Sequence, residues 1–315
     1  MDRSRFLYLK YFSRRLLEKV FVDKMGFIRK PKKFLFGEKV PTNEETNELI
    51  ASYIKSGEPF CLLRPGNSEF SLATKWDEHV LFGTKRYREH DMFIEIDGLE
   101  NYEYGKRWVE QFEKDLGEAD IFACFSTTSD MELYLVEAYA KDSKFILLPQ
   151  IEAIWLDRPW LQELKGKKVL IISPFVETMK TQYERRKLIW EGHDILPDMD
   201  VKYLKSVWYL GNDDGDGFAN WFEALDYLYT AASKIDFDIA LLGCGPFSTF
   251  LAAAFKRDGK QAIHYGGALQ LLFGIRGARW DEMDKYKMFY NEYWVRPSQS
   301  DAPKKADTLD DKCYW

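Results

Sequence analysis

Through the middle of the chain, short apolar runs alternate with longer stretches whose apolar residues recur every three or four positions. The short runs are FCLL, IFACFS, KFILLP, VLIISPF, VKYLKSVWYLG, DFDIALLG and KQAIHYGG. Compact apolar runs bounded by turn residues predict strands buried on both faces. The stretches between them predict amphipathic helices: TNEETNELIASYIKSGEP, ENYEYGKRWVEQFEKDLGEAD, TTSDMELYLVEAYAKDS, VETMKTQYERRKLIWEG, FANWFEALDYLYTAASKI and PFSTFLAAAFKRDG. Thr42 or Asn43 is the expected N-cap of the first, since both side chains can accept a backbone N–H bond. Strands alternating with helices of this length predict an α/β, Rossmann-like domain, a mostly parallel sheet with helices on both faces. Three segments follow: a basic amphipathic segment over 1–40, the α/β domain over 41–296, and an extended, Pro-rich polar tail over 297–315.

Sheets of this kind bind ligands at the carboxyl ends of their strands. That directs attention to Arg64–Glu69, Ser126–Asp130, Ser173–Lys180, Gly243–Ser248 and His264–Gly267. In LLGCGPF, Gly243 and Gly245 either spare a close strand-to-helix turn or form a backbone cradle for an anion. A methyltransferase reading of the same loop expects an acidic residue ending the next strand, where this chain has His264, Tyr265, Gly266 and Gly267. RPGNSEF sets Asn67 and Glu69, two oxygen-bearing side chains, two residues apart with Arg64 close by. Oxygen ligands suit a hard cation bridging phosphate oxygens, whereas a plain turn with a surface glutamate is the bland alternative. SPFVETMKTQYERR offers Ser173, Glu177 and Lys180 at a strand mouth, either for phosphate or as an N-cap and charged helix face. LLFGIRGARWD adds Arg276 and Arg279, either for an acidic sugar or a diphosphate or as part of a lid that only covers the sheet. NDDGDGFANWFE matches a calcium loop at Asp214, Asp216, Gly217 and Glu223, but no helix leads into it.

Composition narrows these options. The 315 residues are 46% hydrophobic and 30% charged, ordinary for a globular protein. Aromatic residues make up 16%, a lean towards stacking on sugars or bases. A net charge of −6 speaks against a nucleic-acid binder. The charge is uneven: residues 1–33 hold eleven Lys/Arg against three Asp/Glu, so the remainder carries −14. A basic, aromatic-rich start suits the surface of an anionic membrane, or else a helix packed on its own domain. No apolar run approaches the roughly 20 residues of a membrane span, and no secretory signal is evident. Four cysteines without CxxC spacing and four scattered histidines indicate a reduced, cytoplasmic protein without a His-rich zinc site.

RPGNSEF, VLIISPFVETMKTQYERR, the block FDIALLGCGPFSTFLAAAFKRDGKQAIHYGGALQLLFGIRGARWD, NEYWVRP and the terminal CYW together resemble GT-D-like proteins of bacterial polysaccharide gene clusters. The resemblance covers roughly residues 45–315, and the Gly-rich block is its most specific part. It implies a Rossmann-like glycosyltransferase fold, a nucleoside diphosphate sugar donor (a UDP-sugar favoured) and a glycan or lipid-linked acceptor on the inner face of the membrane. The family carries Asp-x-Glu after an Arg-x-Gly turn, with the acidic pair on a divalent metal. Arg64, Gly66 and Glu69 match that turn, and Asn67 stands where the Asp would be. By this resemblance Asn67 and Glu69 would hold Mn²⁺ or Mg²⁺. Arg64, Lys180, Arg276 and Arg279 would add positive charge. Asp130 or Glu177 would serve as base, and Ser126, Thr127, Ser173, Gly243, Gly245, His264, Gly266 and Gly267 would line the cleft. The alternative is a non-catalytic sugar-nucleotide binder or scaffold.

Overall fold

The computed structural model describes residues 3–25, 30–83, 99, 102–127, 130–208, 217–302 and 314. A two-residue antiparallel ribbon, β1 (Phe34–Leu35) with β2 (Glu38–Lys39), precedes one seven-stranded sheet. Its strands are β3 (Phe60–Leu63), β4 (Ile121–Cys124), β5 (Lys144–Leu147), β6 (Lys168–Ser173), β7 (Asp200–Lys205), β8 (Ile239–Leu242) and β9 (Gln261–His264). The order is β5-β4-β3-β9-β8-β6-β7, with every pairing parallel. The chain steps outward from β3 to β5, crosses to β6 and β7, and returns through β8 to lay β9 beside β3.

Neighbouring residues on each central strand point to opposite faces, and both faces are buried. Cys61, Leu63, Phe122, Leu170, Ile172, Ala240, Leu242 and Ala262 join one apolar cluster. Phe60, Leu62, Ile121, Val169, Ile171, Ile239, Leu241 and Ile263 join the other. This is why the strands read as unbroken apolar runs instead of an alternating pattern. The central strands carry many β-branched and aromatic residues, which favour the pleated backbone.

The first face is covered by α1 (Arg3–Lys19), α3 (Asn67–Phe82), α4 (Tyr102–Leu116), α5 (Asp130–Tyr139), α8 (Trp221–Ser233) and α9 (Phe247–Arg257). The second is covered by α2 (Asn43–Ser56), the short turns from Leu148 to Leu164, α6 (Val176–Glu184) and the segment after β9. Thr42 caps α2 in a full capping box: its Oγ1 accepts the Glu45 N–H at 3.1 Å, and the Glu45 carboxylate accepts the Thr42 N–H at 2.7 Å. Gly57, left-handed at φ 71°, ends that helix. The expected single helix after β6 divides at Arg185 into α6 and a short α7 (Arg186–Ile189).

The tail begins by folding back onto the domain. Asp301 is fully buried, where it accepts the Thr178 N–H at 2.8 Å, the Thr178 hydroxyl at 2.6 Å and the Glu177 N–H at 3.3 Å. It thereby caps the start of α6 from 123 residues away in sequence. Residues 303–313 lie outside the described set, as do 209–216, where Asp214 and Asp216 of the calcium-loop reading fall. Glu223 of that reading accepts the Ala219 N–H at 2.6 Å, and Asn220 caps α8.

Candidate functional site

The helix after β3, α3, lies on one face of the sheet, while the chain leaving β9 turns to the other. These adjacent strands therefore open a crevice at their carboxyl ends, where such sheets take their ligands. Arg64 follows β3 directly. Gly266, left-handed at φ 74°, follows β9 and lies under its guanidinium: a Cβ at Gly266 would sit 1.7 Å from Arg64 Nη1. Glycine is required there twice over, for backbone conformation and for space. Arg64 Nε is sealed from solvent and has no hydrogen-bond partner among the described residues. Desolvation pushes this guanidinium below its ordinary value; Glu69 opposes the shift, then Tyr314 and Glu152, while Arg279 adds to it. An arginine is still a cation under these conditions, so the crevice floor carries a fixed positive charge with an unused donor.

Glu69 sits in the first turn of α3 and is 5% exposed. The backbone N–H groups of Gly66 and of Glu69 itself favour its charged form. A Cβ on Gly66 would meet Glu69 Oε2 at 2.5 Å. Burial raises the carboxyl above its usual range, and the two backbone N–H groups and Arg64 pull the other way. Asn67, the first residue of the helix, is exposed. A cation here would find one neutral, exposed carboxamide and one buried carboxylate. Among the described residues no group of three His, Cys, Asp or Glu stands together to hold a metal. The residues present do not fit a divalent ion held by the protein, which needs several oxygen ligands.

The other expected residues divide between turn-building and lining. Gly243 is a close-packing glycine, since a Cβ would lie 2.9 Å from Gly266 O and 3.0 Å from Leu269. Gly245 is left-handed at φ 57°, and its carbonyl accepts the Ser248 N–H at 3.0 Å. Ser248 Oγ in turn accepts the Cys244 N–H at 3.1 Å. GCGPF is thus a tight turn that brings β8 and β9 close together. His264, 2% exposed, has Nδ1 3.4 Å from the Thr249 hydroxyl. Burial first, then Arg64, holds its ring well below the ordinary histidine range, so it stays neutral. Gly267 borders the crevice under the Tyr314 ring, with a Cβ–Cε1 separation that would be 2.6 Å.

Ser173 is 1% exposed and accepts the Phe175 N–H at 3.2 Å, a buried turn bond. Glu177 and Lys180 pair with each other at 2.7 Å on the exposed side of α6. Ser126 and Thr127 follow β4, where the Ser126 carbonyl accepts the Lys32 N–H at 2.9 Å. Thr128 and Ser129, and the side chain of Asp130, lie outside the described set. Arg276 lies over the Tyr290 ring at 5.5 Å, with a buried, unpartnered Nε. Arg279 is exposed and lies 4.9 Å from the centroid of the Tyr314 ring, donating to its hydroxyl at 3.3 Å.

Two crevice residues lie outside the strand-end segments singled out from the sequence. Glu152 follows β5 through a short turn and interacts electrostatically with Arg64. Burial raises its carboxyl, while the Tyr286 hydroxyl, donating at 2.5 Å, then Lys285 and Arg64 oppose the shift. The signal that could have found it is its place just beyond a strand end. Tyr314 comes from the far end of the chain: its ring covers Gly267, and its carbonyl accepts Gln270 Nε2 at 3.3 Å. No spacing rule connects it with β9, though the terminal CYW belongs to the resemblance.

No family model matches the chain, and no curated protein matches it. Among solved structures, the chain is similar to the selenomethionine-substituted structure of a domain of unknown function, DUF1792. The similarity has 16% identity, covers 83% of this chain and 92% of that chain, and has a TM-score of 0.43.

Proposed function

We propose that the β3–β9 crevice binds the diphosphate of a nucleoside diphosphate sugar, and that the protein transfers the sugar to a glycan acceptor. The observation that carries this reading is Arg64: a guanidinium set over Gly266 at the topological switch point, its Nε without a hydrogen-bond partner among the described residues. Guanidinium groups suit phosphate oxygens through paired, charge-assisted hydrogen bonds. Arg279 stands at the rim with the Tyr314 ring beside it, an aromatic face for a sugar or a base. The resemblance to GT-D-like proteins supports the same chemistry. The donor is a UDP-sugar in this reading, and the setting is cytoplasmic. Cys61, Cys124 and Cys244 are free and buried, in keeping with that setting.

In the transfer, the bond from the anomeric carbon to the diphosphate breaks and a new bond forms to an acceptor hydroxyl. Arg64 and Arg279 stabilise the negative charge that develops on the leaving diphosphate. Glu152 accepts the hydroxyl proton; a carboxylate raised by burial is a stronger base than an exposed one. Glu69 positions the start of α3 and so the Arg64 loop. Guanidinium groups thus take the charge-neutralising role that the resemblance assigns to Mn²⁺ or Mg²⁺ on Asn67 and Glu69. A second reading, a sugar-nucleotide binder without turnover, is favoured by Asn67, which replaces a charged ligand with a neutral one.

Calorimetric titration of UDP, GDP, CMP and UDP-sugars, with Mn²⁺ and then with EDTA, tests both. Binding of one nucleotide that survives EDTA and falls about tenfold or more in Arg64→Gln is the expected result. Binding that appears only with Mn²⁺ and strengthens in Asn67→Asp restores the metal. Binding by a folded sample without sugar transfer selects the non-catalytic reading. Failure to bind any nucleotide removes the donor site.

A further inference from the structure

Helix α1 has two apolar faces on opposite sides. The inward one is short. Tyr8 and Tyr11 are each 3% exposed, and the Tyr8 ring meets Tyr134 edge-on at 5.2 Å. The Tyr8 hydroxyl donates to Glu78 at 3.2 Å, the Tyr11 hydroxyl to Glu137, and Lys10 to Glu137 at 2.8 Å. These contacts hold the first half of the helix on α5. The outward face is longer and uncovered: Phe6 is 59% exposed, Leu9 41%, Leu16 50%, Leu17 61% and Val20 46%. At about 100° per residue these five fall within an arc of roughly 100°, centred opposite Tyr8 and Tyr11.

Chance exposure of single apolar residues is normal, but an aligned stripe on one helix is not. Lysine and arginine line its edges. Arg5 and Lys19 lie along one edge and Arg14 along the other, while the chain beyond residue 33 carries −14. A large apolar partner ringed by negative charge is what this arrangement complements. A second copy of the chain is a poor match by charge, since it would set one basic segment against another.

We infer that α1 lies in the plane of an anionic membrane surface, its outward face buried among acyl chains and its flanking basic residues at the headgroups. No helix among the described residues is long and apolar enough to cross a membrane, so the contact is peripheral. The inference does not depend on what the crevice binds. If the transfer reading holds as well, the surface contact brings the crevice to lipid-linked acceptors.

Flotation of the full chain with vesicles of equimolar phosphatidylglycerol and phosphatidylcholine tests it, with pure phosphatidylcholine vesicles as the comparison. The wild type should float with the anionic vesicles, less so at high salt, and remain below with the neutral ones. Leu16→Asp combined with Leu17→Asp should reduce flotation roughly tenfold or more. Both side chains are exposed, so an unchanged melting temperature confirms that the fold is intact. Absence of flotation, or flotation equal in the variant, overturns the inference. So does a wild-type dimer on size exclusion that the variant dissolves, since the face would then serve a second copy.

Discussion

At Gly266 one atom decides where the Arg64 guanidinium can lie. An alanine would place its Cβ 1.7 Å from Arg64 Nη1, at a backbone φ of 74° that side chains seldom adopt. The Arg64 side chain is the partner that must give way, because Gly266 N donates to Leu242 O at 2.9 Å and holds its backbone in place. Gly266→Ala is expected to displace the guanidinium and weaken nucleotide binding by about tenfold or more. Gly245→Ala, at φ 57° with nothing within 4 Å, is expected to cost only about 1 kcal/mol of stability and leave binding alone. Titration beside thermal melting of the two variants distinguishes them. Equal loss of binding in both would show that the Arg64–Gly266 contact has no special role.

Between elements, the decisive contacts cross long stretches of sequence. The start of α6 is capped by Asp301 from the tail, not by a residue of its own turn. The usual local cap is missing because Phe175, at the N-cap position, offers no side-chain acceptor. Asp301→Ala would leave the buried Thr178 N–H and hydroxyl proton without their acceptor, although the hydroxyl oxygen keeps the Ser298 N–H at 2.9 Å, and this costs about 1–3 kcal/mol. Asp301→Asn, which keeps a carbonyl acceptor, is expected to recover part of the loss. Denaturant melts of the three proteins check this. Equal stabilities would mean that the tail merely rests on α6. The tail that fixes α6 also supplies Tyr314 to the crevice, so one segment serves both stability and the site.

For the whole molecule, buried acids shape stability against pH. Asp77 on α3 accepts the Tyr134 hydroxyl at 2.7 Å and interacts with Glu113 on α4. Burial, then Asp77, pushes Glu113 up to about 9, and burial raises Asp77 as well. The folded state therefore holds protons that the unfolded state releases. Its stability is fully present below the ordinary carboxyl values and declines as pH rises towards about 9. His264 acts at the other end: kept neutral in the fold, it costs stability as pH falls through its ordinary value. A dome is expected, and Glu113→Gln should flatten its alkaline side while leaving the acid side unchanged. Melting temperatures of wild type and variant across mildly acidic to alkaline buffers check this. Parallel curves would mean that the pair carries no shared proton.

The apolar runs were enough to predict the α/β class, the parallel strands and the helices between them, because a strand buried on both faces has no other economical pattern. Thr42 or Asn43 was legible as a cap, and the structure gives the role to Thr42, whose partner Glu45 is three residues away, a spacing that a helix makes a contact. The positions just after β3 and β9 were legible as strand ends for the same local reason. The roles within the crevice were not. Glu69 is a residue that the resemblance places on a metal, yet it is turned onto its own helix start, a matter of rotamer and burial. Ser173 and the Glu177–Lys180 pair lie at a strand mouth but face the core or each other. Glu152, Tyr314 and Asp301 act through partners distant in sequence, beyond the reach of periodicity. Sequence determines what each segment buries; only the order β5-β4-β3-β9-β8-β6-β7 decides that β3 and β9 become neighbours and set Arg64 over Gly266.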